Sequence, residues 1–196
     1  ARIIAKDETS VTLRPFSAVT AMESQLRIEL LQALPAKERF ELVLQKATEI
    51  GVARIVPYCS ARSSTLPERD SRQKKSHRWP DILLRAARQS RRAEIPELSA
   101  DISWQQALAQ CAAAELSLLC YEGAGCRPLA EALRGFNGRR IALMIGPEGG
   151  FTPAEIEQAR SLGILPVGLG PRILRTETAA IVAAAIIQFA LGDLGR

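Results

Sequence analysis

The sequence predicts an α/β protein in which a mainly parallel sheet is covered by helices on both faces. Short apolar segments alternate with longer amphipathic segments along most of the 196 residues, the order expected of strands and helices in such a sheet. Hydrophobic residues make up 47% of the chain and aromatic residues only 5%, which favours helices packed on a sheet over an all-β sandwich. This length accommodates one large domain, or one domain and a fragment of another.

The first segment is predicted to be a β-hairpin. Residues 3–16 contain a strand-like sequence around Val11 and Leu13, preceded by turn-forming residues. The segments that follow offer no strands with which this hairpin could form a larger antiparallel sheet. We therefore expect residues 1–22 to be the end of an upstream β domain and residues 23–196 to be the α/β domain.

The remaining elements alternate between strand and helix. Predicted strands are the short apolar runs 26–30, 53–58, 115–121, 141–145 and 164–169. Predicted helices cover residues 37–50, 71–92, 128–133, 153–162 and 176–191. The first helix ends at Gly51, a residue type that commonly follows the last helical turn. Thr152 and Glu155 form a capping box, so that helix is predicted to begin at Pro153.

The charge of the chain indicates a polyanionic partner. The formal net charge is +5 and the isoelectric point is about 9.3, which is typical of proteins that bind nucleic acids. Many of the basic residues are concentrated in one segment. Those in this segment are Arg62, Arg69, Arg72, Lys74, Lys75, Arg78, Arg85, Arg88, Arg91 and Arg92.

The cysteines and the histidine argue against several kinds of site. Cys59, Cys111, Cys120 and Cys126 show no C-x-x-C spacing, and His77 is the only histidine. This disfavours a zinc site and a catalytic Cys–His or Ser–His pair, and we expect no metal. Two of the cysteines, at 59 and 120, lie in predicted buried strands, which favours reduced thiols and a cytoplasmic location.

Glycine-rich loops at predicted strand ends are the candidate ligand site. They cover residues 122–125, 146–150 and 170–178. Ligands of open α/β sheets bind beyond the carboxyl ends of the strands, where glycine allows close approach of the backbone. A tight turn alone would explain Gly123 and Gly125. The phosphate-loop and dinucleotide-binding patterns are absent, so these patterns leave the identity of the ligand open.

Two motifs resemble signatures of a known enzyme family. They are similar to those of the ribosomal RNA small subunit methyltransferase E family, in the SPOUT superfamily. The first is Gly-Pro-Glu-Gly-Gly-Phe-Thr at residues 146–152, and the second is Leu-Gly-Pro-Arg-Ile-Leu-Arg-Thr-Glu-Thr-Ala at residues 169–179. Residues 46–52 and 191–194 also match. At Arg88 the family usually has a glutamate, so no role of that glutamate can be transferred to this chain.

The resemblance implies a fold and an activity. It implies transfer of a methyl group from S-adenosylmethionine to N3 of a uridine in 16S rRNA of the small ribosomal subunit, near the decoding centre. It also implies a homodimer, a C-terminal trefoil knot and an N-terminal PUA-like RNA-binding barrel, of which residues 1–22 would be the remnant. Alternatives are a SPOUT enzyme that methylates a ribose 2′-hydroxyl, a catalytically silent RNA-binding module, and a small-molecule enzyme.

The resemblance also implies binding residues. The cofactor would contact Leu119, Cys120, Gly146, Pro147, Glu148, Gly149, Gly150, Leu169, Gly170, Ile173, Leu174 and Thr178. The RNA would contact Arg88, Gln89, Arg92 and Arg172.

The catalytic candidates follow from the chemistry of uracil. Removal of the N3 proton spreads negative charge onto O2 and O4, and a cation at those oxygens stabilises the transition state. Arg175 is the first candidate for this cation, although a phosphate contact explains it equally well. Glu177 could accept the proton or orient Arg175, but a carboxylate in the first turn of a helix is also favoured by the helix dipole. Glu148 is a weaker candidate for the base.

Overall fold

The computed structural model describes residues 2–14, 23–35, 37–63 and 78–195. The strands in these ranges are β1 (Arg2–Lys6), β2 (Val11–Arg14), β3 (Arg27–Ala33), β4 (Arg54–Cys59), β5 (Glu97–Leu98), β6 (Ile102–Ser103), β7 (Leu116–Cys120), β8 (Arg127–Pro128), β9 (Arg140–Ile145) and β10 (Leu165–Gly168). The helices are α1 (Lys37–Ile50), α2 (Trp79–Gln89), α3 (Trp104–Ala112), α4 (Leu129–Ala132), α5 (Pro153–Ser161) and α6 (Thr176–Leu191).

The main sheet is parallel and has helices on both faces. Its strand order is β5-β4-β3-β9-β7-β10-β8, and β6 also pairs with β4. On β3, Ile28 and Leu30 pack toward α1, α2 and α6, whereas Leu31 and Ala33 pack toward α3 and α5 on the opposite face. This arrangement confirms the predicted fold class and explains why the central strands are apolar on both faces.

The first two strands form a separate hairpin. β1 and β2 pair antiparallel in a two-stranded sheet, with an irregularity between Ile3 and Ala5. Every residue of the two strands is exposed. The hairpin prediction is confirmed as far as Arg14, whereas Pro15, Phe16 and the proposed boundary at residue 22 lie outside the described residues.

Several helices agree closely with the sequence prediction. α1 and α6 have the predicted bounds, and Gly51 follows α1 with a φ of +97°, a conformation that glycine adopts without steric cost. The capping box between Thr152 and Glu155 is present at the start of α5. Of the predicted helix 71–92, residues 79–89 form α2, which ends three residues earlier than predicted because Arg91 has a φ of +60°. Residues 71–77, including His77, lie outside the described residues.

Other elements differ from the prediction. α3 was not expected, and neither were the short strands β5 and β6. The signal for α3 is a capping box in which Ser103 and Gln106 bond each other's backbone N–H groups. Cys120 is buried as predicted, but Cys59 is only partly buried because β4 ends there. Within the described residues, no helix is both long and apolar enough to cross a membrane.

Candidate active site

A cavity of about 350 Å³ lies at the carboxyl edge of the main sheet. Its walls are the segments that follow β7, β9 and β10, together with Arg39 from the first turn of α1. Because these strands are parallel and adjacent, their carboxyl ends converge at one edge of the sheet. Two of the predicted loops, 146–150 and 170–178, therefore meet here, but the third contributes only its first residue, Glu122.

Most of the expected ligand residues line this cavity, but not all. Leu119 is fully buried in the core, and Thr178 lies on α6 away from the cavity wall. A Cβ added to Gly149 would lie 3.2 Å from the Cβ of Arg62, so this glycine faces Arg62 and not the cavity. The expected residues that do line it are Cys120, Gly146, Pro147, Glu148, Gly150, Leu169, Gly170, Arg172, Ile173, Leu174 and Arg175.

The cavity wall also includes residues that were not among the expected contacts, although several of them lie within the predicted loops and motifs. Arg39 and Thr176 are the most informative, because each is in contact with the glycine-rich loop 146–150 from a distant part of the chain. The remaining ones are Tyr121, Glu122, Ile145, Phe151 and Ala179. No local pattern marks Arg39, since its partner Glu148 is 109 positions away in the sequence.

The glycine-rich loop is held by contacts on both sides. The Arg62 guanidinium donates a hydrogen bond to the carbonyl oxygen of Gly149 at 2.8 Å. Arg39 forms an ion pair of 2.9 Å with Glu148, and both side chains line the cavity. Gly150 has a φ of +67° and its N–H bonds the carbonyl of Pro147. These contacts give the loop a defined shape before any ligand arrives.

The start of α6 is tied to the same loop. The Thr176 hydroxyl donates to the carbonyl of Gly146 at 2.5 Å and accepts a hydrogen bond from Nε2 of Gln32 at 2.9 Å. Gln32 is fully buried on β3. Thr176 thus links the start of α6 to the ends of β3 and β9, which are neighbouring strands, and it fixes the position of Arg175, the residue before it.

The two catalytic candidates are placed differently. Arg175 adopts an extended conformation before α6, is exposed and lines the cavity. Glu177 is buried, with 8% of its surface exposed, and it is not among the cavity-lining residues. Its Oε2 atom has no hydrogen-bond partner among the described residues. This placement favours contact with a substrate for Arg175 and does not favour it for Glu177.

The expected RNA-binding residues also divide into two groups. Arg88 and Gln89 are exposed at the end of α2. The side chain of Arg92, by contrast, is only 8% exposed, bonds Glu23 at 2.9 Å and donates to the carbonyls of Thr48 and Val52. Since these contacts engage the guanidinium inside the protein, Arg92 joins chain segments together and is not part of an RNA-facing surface.

The charge on Glu23 reflects this contact. Burial by itself would raise the pKa of Glu23, but hydrogen bonds from Arg92 and from the backbone N–H groups of Glu94 and Ala93 lower it below its ordinary value.

Inside the cavity, burial raises the pKa of the Cys120 thiol to about 12, so this thiol stays protonated and acts as a small apolar group.

Comparison with known proteins places the chain in a family. The family model described as RNA methyltransferase domain matches residues 22–188. Ribosomal RNA small subunit methyltransferase E of Bacillus subtilis is 33% identical over 172 residues, which cover 85% of this chain and 67% of that protein. The protein of the same name from Mesomycoplasma hyopneumoniae is 38% identical over 159 residues, with coverages of 81% and 68%. The chain belongs to the ribosomal RNA small subunit methyltransferase E family. It spans about two thirds of the length of these two relatives.

Solved structures of similar proteins agree with this family. Ribosomal RNA small subunit methyltransferase E from Neisseria gonorrhoeae, bound to S-adenosyl methionine, is 34% identical with a TM-score of 0.73, covering 88% of this chain and 69% of that one. A protein of Legionella pneumophila, solved as a methyltransferase in complex with this cofactor, is 39% identical with a TM-score of 0.81, and the coverages are 89% and 70%. The resemblance inferred from residues 146–152 and 169–179 is confirmed.

Proposed function

We propose that the protein transfers a methyl group from S-adenosylmethionine to N3 of a specific uridine in 16S rRNA of the small ribosomal subunit, near the decoding centre. The observation that carries this proposal is the cavity at the ends of β7, β9 and β10, because it contains the two family motifs and a guanidinium at its mouth. Membership of the small subunit methyltransferase E family supports the methyl donor and the RNA substrate.

The cavity fits the cofactor in size and in chemistry. A volume of about 350 Å³ is that of an ordinary small-molecule site. A Cβ added to Gly170 meets no atom within 4 Å, so space is open beside this backbone. Leu169 and Leu174 offer apolar surface for the adenine, and the backbone of Gly146 to Gly150 offers hydrogen bonds. When bound here, S-adenosylmethionine would supply an electrophilic methyl group, and no metal is needed for this transfer.

Arg175 is the residue that would stabilise the reacting base. Its guanidinium carries a fixed charge and several donors in one plane. Directed at O2 or O4 of uracil, it would stabilise the negative charge that forms when the N3 proton leaves. Arg172, three residues earlier in the same loop and also in the cavity wall, would contact the RNA phosphate.

Glu148 is the carboxylate that we favour as proton acceptor. It lines the cavity, whereas Glu177 is buried behind the start of α6. The Arg39 guanidinium, 2.9 Å from a Glu148 oxygen, orients this carboxylate. Glu177 would then act indirectly, by stabilising the first turn of α6 and the position of Arg175.

The larger assembly is part of the same proposal. Arg88 and Gln89 would extend the RNA contact along α2, and residues 1–22 would belong to a PUA-like RNA-binding barrel. The α/β domain, residues 23–196, would carry a C-terminal trefoil knot and form a homodimer. One structural observation supports the dimer: Phe189, on the last turn of α6, has 71% of its surface exposed, and exposed apolar surface is available to an interface.

Analysis of RNA nucleosides tests the reaction. We expect 16S rRNA from cells that lack the gene to lose 3-methyluridine, as measured by mass spectrometry, and a plasmid copy to restore it. A copy with Arg134→Lys, an exposed arginine outside the cavity, serves as the matched control and should restore the modification fully. Loss of a ribose 2′-O-methyl mark with 3-methyluridine unchanged would contradict the proposed target atom.

A further inference from the structure

Glu122 is a cavity-lining carboxylate to which the reaction described above gives no role. It lies two residues beyond β7, and the cavity wall includes it together with Cys120 and Tyr121. Its Oε1 atom lies 3.1 Å from the position that a Cβ on Gly150 would occupy. The carboxylate therefore lies against the glycine-rich loop, on the side where that loop has no side chain.

The backbone around Glu122 is fixed by its neighbours. The N–H of Tyr121 donates to the carbonyl of Val167 on β10 at 3.0 Å, and the Tyr121 carbonyl accepts a bond from the Cys126 thiol at 3.3 Å. The Tyr121 ring occupies the space where a side chain on Gly123 would lie. This close approach explains the glycine at 123, and it fixes the path of the backbone at Glu122, just after β7.

The acceptor atoms of Glu122 are not used within the described part of the chain, where this side chain is exposed. Among the described residues, Glu122 has no ion-pair or hydrogen-bond partner within bonding distance. Glu148, the other carboxylate in the cavity wall, already pairs with Arg39. Glu122 is thus the carboxylate in this wall with both oxygens available to a ligand.

The charge of the cavity argues against a role as a cation site. The lining residues include three arginines, Arg39, Arg172 and Arg175, against the two glutamates. A wall with this excess of positive charge does not favour a metal cation, so a carboxylate placed in it is better explained as a hydrogen-bond acceptor. Two vicinal hydroxyl groups match the two oxygens of one carboxylate, and a carboxylate beyond a strand end binds ribose in this way in other parallel α/β folds.

We propose that Glu122 binds the ribose hydroxyls of the adenosyl group and is a specificity residue for the cofactor. This inference rests on the proposed function, since it assumes an adenosyl ligand in the cavity. It assigns Glu122 to recognition and not to the chemistry, because the ribose is not altered in methyl transfer.

Calorimetry with S-adenosylmethionine, S-adenosylhomocysteine and the 2′-deoxy and 3′-deoxy analogues of the latter tests the assignment. Glu122→Ala should weaken binding of the first two ligands equally, by roughly 10- to 100-fold, the range for hydrogen bonds to a charged acceptor. The unaltered protein should bind each deoxy analogue more weakly than S-adenosylhomocysteine, and Glu122→Ala should no longer distinguish them. Glu157→Ala, an exposed glutamate on α5, is the control and should bind all four ligands as the unaltered protein does.

The possible failures are distinguishable. Unchanged affinity for S-adenosylhomocysteine in Glu122→Ala would overturn the role of Glu122 and leave the proposed function intact. A loss confined to S-adenosylmethionine would also overturn it, because only that ligand carries the sulfonium charge and both carry the ribose. Failure of the unaltered protein to bind either ligand would contradict the proposed function itself.

Discussion

Arg39, Arg92 and Arg175 have the same side chain but different roles. The contacts of each guanidinium determine its role. Arg92 is enclosed by Glu23 and two backbone carbonyls, so its charge serves the fold. Arg39 is half-exposed and orients a carboxylate in the cavity. Arg175 is exposed in the cavity wall. The basic character of a segment therefore indicates a polyanionic partner for the chain, but it does not identify which residues touch that partner.

Arg175→Lys tests the catalytic role of a planar guanidinium. Lysine keeps the charge but loses the planar arrangement of donors, so methyl transfer should fall by about 10²-fold, as when one oxyanion-stabilising donor is removed. RNA binding should change little, because many other basic residues contribute to it. Single-turnover rates at saturating RNA and cofactor measure the effect, with Arg134→Lys as the control. A rate near that of the unaltered protein would assign Arg175 to a phosphate contact.

The secondary structure was predictable where local sequence patterns are strong. α1 and α6 have the predicted bounds because apolar residues and a terminal glycine or acidic first turn mark them. α3 was not predicted, because apart from Trp104 and Leu108 its apolar residues are small (alanine and cysteine) and give a weak helical pattern. The cavity loops, which include Thr176 and Glu122, were predicted from their glycines and motifs, but Arg39 and the contacts of Thr176 with Gly146 and Gln32 were not. These depend on partners that are distant in the sequence, which no local pattern reveals.

The link between α6 and the glycine-rich loop can be broken with Thr176→Val. Valine keeps the shape of threonine but leaves the carbonyl of Gly146 without its hydrogen bond and removes one acceptor of Gln32. Each buried polar group left unpaired costs about 1–3 kcal/mol, so the free energy of unfolding in urea should fall by roughly that amount, and the affinity for S-adenosylmethionine should fall with it.

Thr178→Val is the matched control for this substitution. It changes the same residue type in the same helical turn, but Thr178 lies outside the cavity wall. Affinity and stability close to those of the unaltered protein are therefore expected. If both variants lost cofactor affinity equally, the start of α6 as a whole, and not the Thr176 hydroxyl, would be responsible.

The contact between Glu23 and Arg92 predicts a pH dependence of stability. The pKa of Glu23 is lowered in the folded protein, so its ionised form stabilises the fold above its ordinary pKa, and this contribution is lost as the pH falls through the folded-state value. Glu23→Gln should lower the free energy of unfolding by about 1–3 kcal/mol at neutral pH. The difference between the two proteins should narrow as the pH falls below 4.5, the ordinary pKa.

Urea unfolding over a series of pH values measures this difference. Glu94→Gln is the control, since Glu94 pairs with Arg27 at 3.6 Å on the surface, where both side chains are more than half exposed. Exposed ion pairs contribute little to stability, so this variant should follow the unaltered protein at every pH. A Glu23→Gln variant with the same stability at neutral pH would show that Arg92 is held by the backbone carbonyls alone.

At the scale of the whole molecule, the parallel sheet gathers the site from distant parts of the chain. Residues from the segments after β3, β7, β9 and β10 share one cavity, although they span positions 39 to 179. A sequence can predict this convergence, because the carboxyl ends of parallel strands share an edge. It could not have predicted a knot by the same reasoning, because nearly all protein chains are unknotted; that expectation rests on the family resemblance alone.

The proposed homodimer is a feature of the whole molecule that substitution of a single side chain tests. α6 packs against the sheet through Ala180, Ala183, Ala184 and Ile187, which are all buried. Phe189 points away from this core, and it should lie in the interface if two copies associate. Phe189→Asp should then shift the protein from dimer to monomer, because a charge buried in an apolar contact is costly.

Light scattering coupled to size-exclusion chromatography at micromolar concentration measures the oligomeric state. Leu162→Asp is the control, because Leu162 follows α5 on the opposite face of the sheet and is also about half exposed. This variant should remain a dimer, since its apolar side chain lies on a different surface. If Phe189→Asp leaves the dimer intact, Phe189 lies outside the interface. If the unaltered protein is monomeric, the dimer itself is excluded.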